Sequence, residues 1–290
     1  MNQDYPQKEN IDLDTVSSFG DEWTKFSQDQ LPSKELSQRF DEYFHIFPWD
    51  KLTPESEGFD MGCGSGRWDS LVASRVGRLN CIDASIDALS VAQERLSDFD
   101  NIRFQHAPIS SHILPSASQD FGFSLGVLHH VPDTLQAIKD CAELLKPNAP
   151  FLAYIYYDFE NKPFWFFLIW KVSDFFRTLI FNLPPLIKLF VCDLIALLIY
   201  YPLTRFSLFC SWVGFNVKNI PLSYYRNCSF YTMRTDARDR FGTPLERRFS
   251  KAKIKSMFKK AGLENLIFSN KEPYWCVLAY KNSKPNNHTQ

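Results

Sequence analysis

A glycine-rich loop lies between two acidic residues near the start of the regularly patterned part of the chain. Gly62, Gly64 and Gly66 alternate along the loop, Asp60 precedes them by two residues, and Asp83 ends the next apolar segment, CIDAS. Glycines lack a Cβ atom, so the backbone can approach a ligand closely. An acid about 20 residues after such a loop is where a ribose diol is held. The pattern favours a nucleotide-type ligand. The alternative is a purely structural turn in which Asp83 caps the following helix.

The spacing of the glycines narrows the class of ligand. A dinucleotide fold expects G-x-G-x-x-G, with pyrophosphate at the start of a helix. Here the loop reads G-x-G-x-G from Gly62 to Gly66, so the third glycine comes one residue early. The loop therefore does not match a pyrophosphate cradle.

Two adjacent histidines are the candidates for acid–base chemistry. His129 and His130 follow the apolar segment FGFSLGVL, which the sequence predicts as a buried strand. Ligands of open parallel sheets bind at the carboxyl ends of the strands. Because a histidine titrates near neutrality, His130, or less favourably His129, could deprotonate a hydroxyl or amine. Hydrogen bonding that only shapes the loop is the alternative.

These residues require a sheet that places strand ends side by side. From about residue 58 to residue 157, short apolar strands alternate with amphipathic helices, which predicts a parallel sheet covered on both faces. The alternation stops after Tyr157 and resumes near Phe249 with a helix and two strands. We therefore expect an N-terminal helical segment (1–40), a core (41–157), a hydrophobic helical insertion (158–248), the C-terminal part of the core (249–282) and a disordered tail (283–290).

The motifs FDMGCGSGR, CIDAS, FSLGVLHHVPD and LLKPNAPFLAYIYY resemble, in order and spacing, those of class I S-adenosylmethionine-dependent methyltransferases. The resemblance covers about residues 40–157 and 249–281. It implies an α/β fold, a Rossmann-like seven-stranded sheet that is mostly parallel with an antiparallel last strand. It also implies S-adenosylmethionine as the cofactor.

The resemblance assigns roles to individual residues. Asp60 would hold the ammonium group of the cofactor, Asp83 would take both ribose hydroxyls, and His129 and His130 would border the acceptor. The third strand lacks the acid that many family members have there and offers Ala107 instead. The residues expected to line the cofactor are Asp60, Gly62, Gly64, Gly66, Asp83, Ala84, Ala107, Leu125 and Gly126.

An aromatic insertion follows the core, from Lys162 to about Phe206. A membrane span needs about 20 consecutive apolar residues. Charges and prolines interrupt this segment at Lys171, Asp174, Arg177, Pro184, Pro185, Lys188 and Asp193. The spacing of the first three predicts an amphipathic helix. Three interpretations stay open: a cap that encloses the substrate, a helix pair that dips into a bilayer through residues 163–213, and a spanning hairpin.

A polar stretch from Tyr224 to Arg248 interleaves tyrosines and arginines. In this fold the chain before the last helix often faces the substrate. Tyr231, Arg234 and Asp236 are therefore candidate contacts to the acceptor. The alternative is a solvated surface loop with internal ion pairs.

Composition excludes some functions and leaves others open. The net charge of −1 gives no electrostatic basis for a nucleic-acid partner, and seven scattered cysteines without a C-x-x-C motif argue against a metal site. No export signal is apparent, so we expect a cytoplasmic location, with peripheral attachment to the inner face of a membrane left open.

The sequence favours methyl transfer to oxygen or nitrogen of a small-molecule or lipid-linked acceptor. The alternatives are an NAD(P)-dependent oxidoreductase or epimerase and a non-catalytic, membrane-associated cofactor-binding protein.

Overall fold

Seven strands form one sheet in the part of the chain that the structure, a computed structural model, describes: residues 10–110 and 112–283. The strands are β1 (Glu57–Met61), β2 (Arg78–Asp83), β3 (Ile102–His106), β4 (Phe121–Leu125), β5 (Pro150–Tyr154), β6 (Leu263–Phe268) and β7 (Cys276–Lys281). Their order is β3-β2-β1-β4-β5-β7-β6. The first five strands are parallel, and β7 runs antiparallel to β5 and β6. The predicted fold class is confirmed.

Helices lie before, between and after the strands. They are α1 (Leu13–Lys25), α2 (Ser33–Phe44), α3 (Asp69–Ala73), α4 (Ile86–Arg95), α5 (Thr134–Leu144), α6 (Phe164–Ile180), α7 (Pro185–Ile195), α8 (Tyr201–Trp212), α9 (Phe230–Gly242) and α10 (Lys251–Lys260). A π-helical turn at Ala196–Tyr200 joins α7 to α8, so that Pro185–Trp212 is one continuous helix.

The core forms because successive strand residues point to opposite faces of the sheet. In β5, Phe151 and Ala153 join the apolar cluster on one face, and Leu152 joins the cluster on the other. Both faces are therefore covered, as expected for strands with near-continuous apolar sequence. This leaves the carboxyl ends of the parallel strands as the edge where a ligand can bind.

The hydrophobic insertion is helical and packs on the edge of the core through α9. That helix contacts α1, α6 and α7. Ser229 caps its start by accepting a hydrogen bond from Thr232 N–H. About half of the stretch 224–248, for which a surface loop was the alternative interpretation, is therefore this helix. Within the described residues, Pro185–Trp212 is long and apolar enough to cross a membrane, by length and composition alone.

The proposed boundaries of the five segments stay a prediction. The disordered tail expected from residue 283 onwards falls almost wholly outside the described residues, which end at 283.

Candidate functional site

The glycine loop after β1 is tight enough to require glycine. Gly62, Gly64 and Gly66 have φ values of +86°, +56° and +69°, a region that other residues enter only with strain. A Cβ on Gly62 would lie 2.5 Å from Cγ2 of Val127, and a Cβ on Gly64 would lie 2.9 Å from Nε1 of Trp23. The G-x-G-x-G spacing thus follows from backbone conformation and close packing together.

Asp83 holds the glycine loop and still faces the cavity. Its carboxylate accepts hydrogen bonds from Gly64 N–H and Ser85 N–H, each at 2.8 Å. A carboxylate offers about four lone-pair directions, so capacity remains for two hydroxyl donors. The helix cap expected as the alternative is made by another residue: Ser85 Oγ accepts from Ala88 N–H at the start of α4.

Asp60 is a buried carboxyl at the loop that is not fully hydrogen-bonded. It is 3% exposed, and its Oδ1 has no hydrogen-bond partner among the described residues. Burial, together with the neighbouring carboxyl of Asp69, raises the pKa of Asp60. Burial also raises the pKa of Asp69 to about 7. A bound ammonium group would provide the missing partner and the missing positive charge, so these residues fit a cofactor that carries one.

A cavity of about 1060 Å³ runs from this loop into the helical insertion. Its lining at the sheet edge includes Asp60, Gly62, Gly64, Asp83, Ala84, Ala107, Leu125 and Gly126. Gly66 lies outside the lining, and a Cβ there would meet Cδ1 of Leu96 at 2.6 Å, so its role is packing. Ligand pockets commonly reach about 300–1,000 Å³, so this cavity has room for a cofactor and an acceptor side by side.

The N-terminal helix α1 covers the sheet end of the cavity. Trp23 lies against Gly64, and the guanidinium of Arg67 lies 5.3 Å from the Trp23 ring centroid. Ser18 Oγ donates to the carbonyl of Gly242 at 2.9 Å, which ties α1 to the end of α9. The helical spacing of Phe19, Trp23 and Phe26 in the sequence indicates this helix but not its position over the site.

The two histidines occupy different environments. His129 is fully buried, does not line the cavity, and stacks on Tyr156 with 3.8 Å between ring centroids. Burial lowers its pKa well below the ordinary value. His130 does line the cavity, and its Nδ1 lies 2.6 Å from the carbonyl oxygen of Leu245. Because a carbonyl only accepts, Nδ1 carries the proton, and Nε2 of the neutral ring has a free lone pair.

Asp239 lies near the free nitrogen of His130 and is itself held by Tyr156. Oδ1 of Asp239 lies 4.0 Å from Nε2, and Tyr156 Oη donates to Oδ2 at 2.5 Å. Burial and the Asp239 charge raise the pKa of Tyr156, which keeps this phenol protonated as a donor. The arrangement can accept a proton at Nε2 and stabilise the resulting imidazolium beside a carboxylate.

The three candidate acceptor contacts are separated in the structure. Asp236 is partly buried and lines the cavity, and desolvation raises its pKa to about 6. Tyr231 and Arg234 are absent from the lining. Tyr231 Oη accepts from Gln28 N–H, and Arg234 makes two hydrogen bonds to Asp193 at 2.8 and 2.7 Å. Arg234 therefore makes an internal ion pair, which was the alternative to an acceptor contact.

Sequence reasoning missed several groups in the cavity wall. Glu22 lines it, is 1% exposed, and has an unpartnered Oε1 within the described residues. Asp239 follows Asp236 by three residues, a helical spacing that could have indicated a shared face had α9 been predicted. Tyr156 comes just after β5, at the edge where ligands of such sheets bind. For metal ligands, the described residues contain no group of three or more suitable side chains.

Comparison with known proteins finds similarity to methyltransferases, most of it in the core. Residues 59–153 match the family model described as a methyltransferase domain. An uncharacterized methyltransferase of Mycobacterium tuberculosis is 34% identical over 89 residues, which are 31% of this chain and 45% of that protein. A ubiquinone biosynthesis O-methyltransferase of Coxiella burnetii is 27% identical over 167 residues, 52% of this chain and 69% of that protein. A demethylmenaquinone methyltransferase of Staphylococcus aureus is 30% identical over 98 residues, which are 32% of this chain and 40% of that protein.

One solved structure extends the likeness to most of the fold. A chain of the Haloferax volcanii complex between the Trm112 methyltransferase activator and a methyltransferase aligns with a TM-score of 0.51 and 13% identity. The alignment covers 91% of this chain and 97% of that one. The chain spans just under half (45%) of the length of the first curated relatives it matches. Residues 59–153 thus match a methyltransferase domain, as the motifs of the core indicate, and the solved structure adds a likeness of fold alone. The match supports S-adenosylmethionine as the cofactor.

Proposed function

We propose that this chain, whose core matches a methyltransferase domain, transfers a methyl group from S-adenosylmethionine to a hydroxyl group of a small acceptor with a long apolar part. One observation carries the proposal. A single cavity has the unpartnered carboxyl of Asp60 and the glycine loop at one end, His130 with a free Nε2 beside it, and an apolar helical wall at the other end.

The chemistry follows from the tautomer of His130. When bound, S-adenosylmethionine supplies a methyl group that is already activated by its sulfonium. Nε2 of His130 would accept the proton that the acceptor hydroxyl loses when its oxygen takes the methyl group and the donor sulfur leaves as a neutral thioether. Asp239, 4.0 Å from that nitrogen, stabilises the imidazolium. Alignment of the reacting groups supplies much of the remaining rate enhancement.

The apolar end of the cavity supports a lipid-linked acceptor. Its wall includes Phe166, Ile169, Phe176, Val191, Ile195 and Leu203. Burial of apolar surface contributes about 25 cal/mol per Å², so an alkyl or isoprenoid chain would gain most of its binding energy here. Two of the relatives are named for ubiquinone biosynthesis and for demethylmenaquinone, which is consistent with an acceptor that carries an apolar tail, and the first name specifies O-methylation. The cytoplasmic location expected from the sequence stays a prediction.

Two other functions are testable against this one. Nicotinamide-dependent chemistry is disfavoured because the loop lacks G-x-G-x-x-G spacing and the family matches are methyltransferases. A non-catalytic cofactor-binding protein would keep Asp60 and the glycine loop but would have no need for the arrangement of His130 and Asp239.

The experiment has two arms. Calorimetric titration with S-adenosylmethionine and, separately, with NAD tests the cofactor, and we expect binding of the first alone. Incubation with S-adenosyl-[methyl-³H]methionine and an organic-solvent extract of membranes tests turnover, with His130→Gln as the matched variant. We expect label in the extractable lipid fraction with the native chain and its loss with the variant. Cofactor binding without labelled product would favour the non-catalytic alternative, and NAD binding would overturn the proposal.

A further inference from the structure

The helix α6 has its charged and apolar sides reversed relative to a helix of a soluble protein. Asp174 and Arg177 face the protein: they pair at 2.8 Å, and Arg177 Nη1 also donates to the carbonyls of Thr243 and Pro244. The exposed side of the helix carries Phe164, Trp165, Phe167, Leu168, Ile169, Val172, Phe175, Phe176 and Leu179. Surface helices of globular proteins place polar residues on that side.

The long helix formed by α7, the π-helical turn and α8 shows the same reversal. From Lys188 to Thr204 its buried residues recur every four positions, and Ser207 follows three positions later. They include a lysine and three hydroxyl side chains: Lys188, Cys192, Ala196, Tyr200, Thr204 and Ser207. The charged side chains of Asp193 and Arg205 also bond inward, to Arg234 and to the carbonyls of Arg226 and Cys228. Its outer side carries Leu186, Ile187, Phe190, Leu194, Leu197, Leu198, Ile199, Tyr201, Phe206, Leu208, Phe209 and Trp212.

We call the exposed side chains of these two helices the apolar face. Monomeric soluble proteins rarely expose a contiguous apolar patch of more than a few hundred Å². In the described parts of α6 and Pro185–Trp212, Lys171 is the one charged residue whose side chain is largely exposed. Trp165 is 45% exposed and Trp212 is 83% exposed, and tryptophan side chains favour the boundary between water and lipid.

The apolar face is also where the cavity reaches the surface. Val172, Phe176 and Leu179 of α6 and Ile199 of the long helix line the cavity and are each about half exposed, at 60%, 51%, 53% and 48%. The same side chains thus border both the interior and the exterior. An apolar molecule passing among them would not need to cross water.

We infer that the apolar face lies on a lipid bilayer and that the acceptor enters the cavity laterally from the bilayer, among the side chains that border both. The entry route rests on the proposed function; the membrane contact does not. A bilayer fits better than a second copy of the chain for two reasons. The face has almost no charged groups that could fix the register of a dimer, and a partner seated on it would close the mouth of the cavity.

Fluorescence of Trp212 tests the membrane contact. Vesicles of brominated phosphatidylcholine and phosphatidylglycerol should quench it. Trp212→Phe should reduce the quenched component, and adding Trp165→Phe, which changes the other exposed tryptophan of the apolar face, should reduce it further. Phe175 and Phe190 are 61% and 63% exposed and lie outside the cavity lining. We expect Phe175→Ser with Phe190→Ser to weaken partitioning into vesicles by about tenfold or more. The matched control, Ile267→Ser, replaces a residue 47% exposed on β6 and should leave partitioning unchanged.

Photocrosslinking tests the lateral route. Vesicles that contain a phospholipid with a diazirine in its acyl chain should label Tyr200, which lines the cavity but is only 5% exposed, as well as the apolar face. Labelling confined to the outer side chains would overturn the route. Three results would overturn the peripheral contact with the bilayer. The first is absence of vesicle binding, and the second is a dimer in sedimentation that the two serine substitutions dissociate. The third is resistance to extraction with alkaline carbonate. Neither measurement requires turnover, so failure here is distinguishable from failure of the proposed function.

Discussion

The substitution Asp60→Asn should affect cofactor binding and folding in opposite directions. The change preserves the shape of the side chain and removes its charge. In the free protein, Asp60 is a buried carboxyl beside Asp69 with an unpartnered Oδ1 within the described residues. Asparagine removes the repulsion and can donate to Asp69, so we expect the free energy of unfolding to rise. In the complex, the same change removes the anionic partner of the cofactor ammonium.

The magnitudes follow from the burial of the two carboxyls. Hydrogen bonds to charged groups contribute about 1.5–3 kcal/mol, so the Kd for S-adenosylmethionine should increase roughly 10- to 150-fold. The pKa of Asp69 is raised from 3.8 to about 7, which at about 1.4 kcal/mol per pKa unit is on the order of 4 kcal/mol. Because the folded-state pKa values of both carboxyls are raised, stability should fall as pH rises from about 4 to about 7, and each asparagine variant should flatten that fall.

Two measurements on the same preparations check this reasoning. Urea denaturation at about pH 5 and about pH 8 gives the free energy of unfolding and its pH dependence. Calorimetry gives the Kd. Asp69→Asn is the matched control, because Asp69 is fully buried and outside the cavity lining. It should alter the pH dependence of stability but should not increase the Kd, because it keeps the Asp60 carboxyl and lowers the pKa of that group. If Asp60→Asn bound S-adenosylmethionine with native affinity, Asp60 would not be the ammonium partner.

Three further substitutions test other parts of the site. Gly64→Ala puts a Cβ at φ +56° and 2.9 Å from Trp23 Nε1, so denaturation should reveal a loss of about 1–3 kcal/mol; unchanged stability would contradict the strain. His130→Gln should lower kcat by roughly 10²–10⁴ without changing the cofactor Kd, and an unchanged kcat would exclude His130 as the base. Arg234→Ala breaks a partly exposed ion pair with Asp193, so stability should fall by about 1 kcal/mol or less with kcat unaffected; a large loss of kcat would make Arg234 an acceptor contact after all.

The sheet was predictable because its signals are local. Apolar strands, glycine turns and amphipathic helices alternate in the sequence, and the right-handed crossover rule leaves few ways to connect them. The ends of strands were less predictable. The segment FGFSLGVLHHV is apolar throughout, yet β4 ends at Leu125, because Gly126 adopts φ +82° and turns the chain out of the sheet. Composition alone does not distinguish a glycine that continues a strand from one that ends it.

The cofactor end of the site was also predictable from local sequence, whereas the acceptor end was not. Asp60, the glycines and Asp83 lie at the ends of adjacent strands, so topology alone brings them together. His130 depends on the carbonyl of Leu245, which is 115 positions away in the sequence. Pairings at that separation arise from the packing of the insertion on the core, and no periodicity in the sequence encodes them. Residues 224–248 are polar in composition, which left a solvated surface loop as one interpretation. Their burial against the core depends on the same long-range packing, which the local sequence does not show.

Helix α9 explains why the insertion and the catalytic groups form one site. Asp239 lies beside His130, the helix packs against α7 of the long apolar helix, and the carbonyl of Gly242 accepts from Ser18 of α1. One rigid helix therefore fixes the base, the apolar wall and the cover of the cofactor loop relative to one another. A shift of about 1 Å in such a geometry can cost a hundredfold in rate. An acceptor held by its apolar part under α6 would thus be held at a fixed distance from Nε2 of His130.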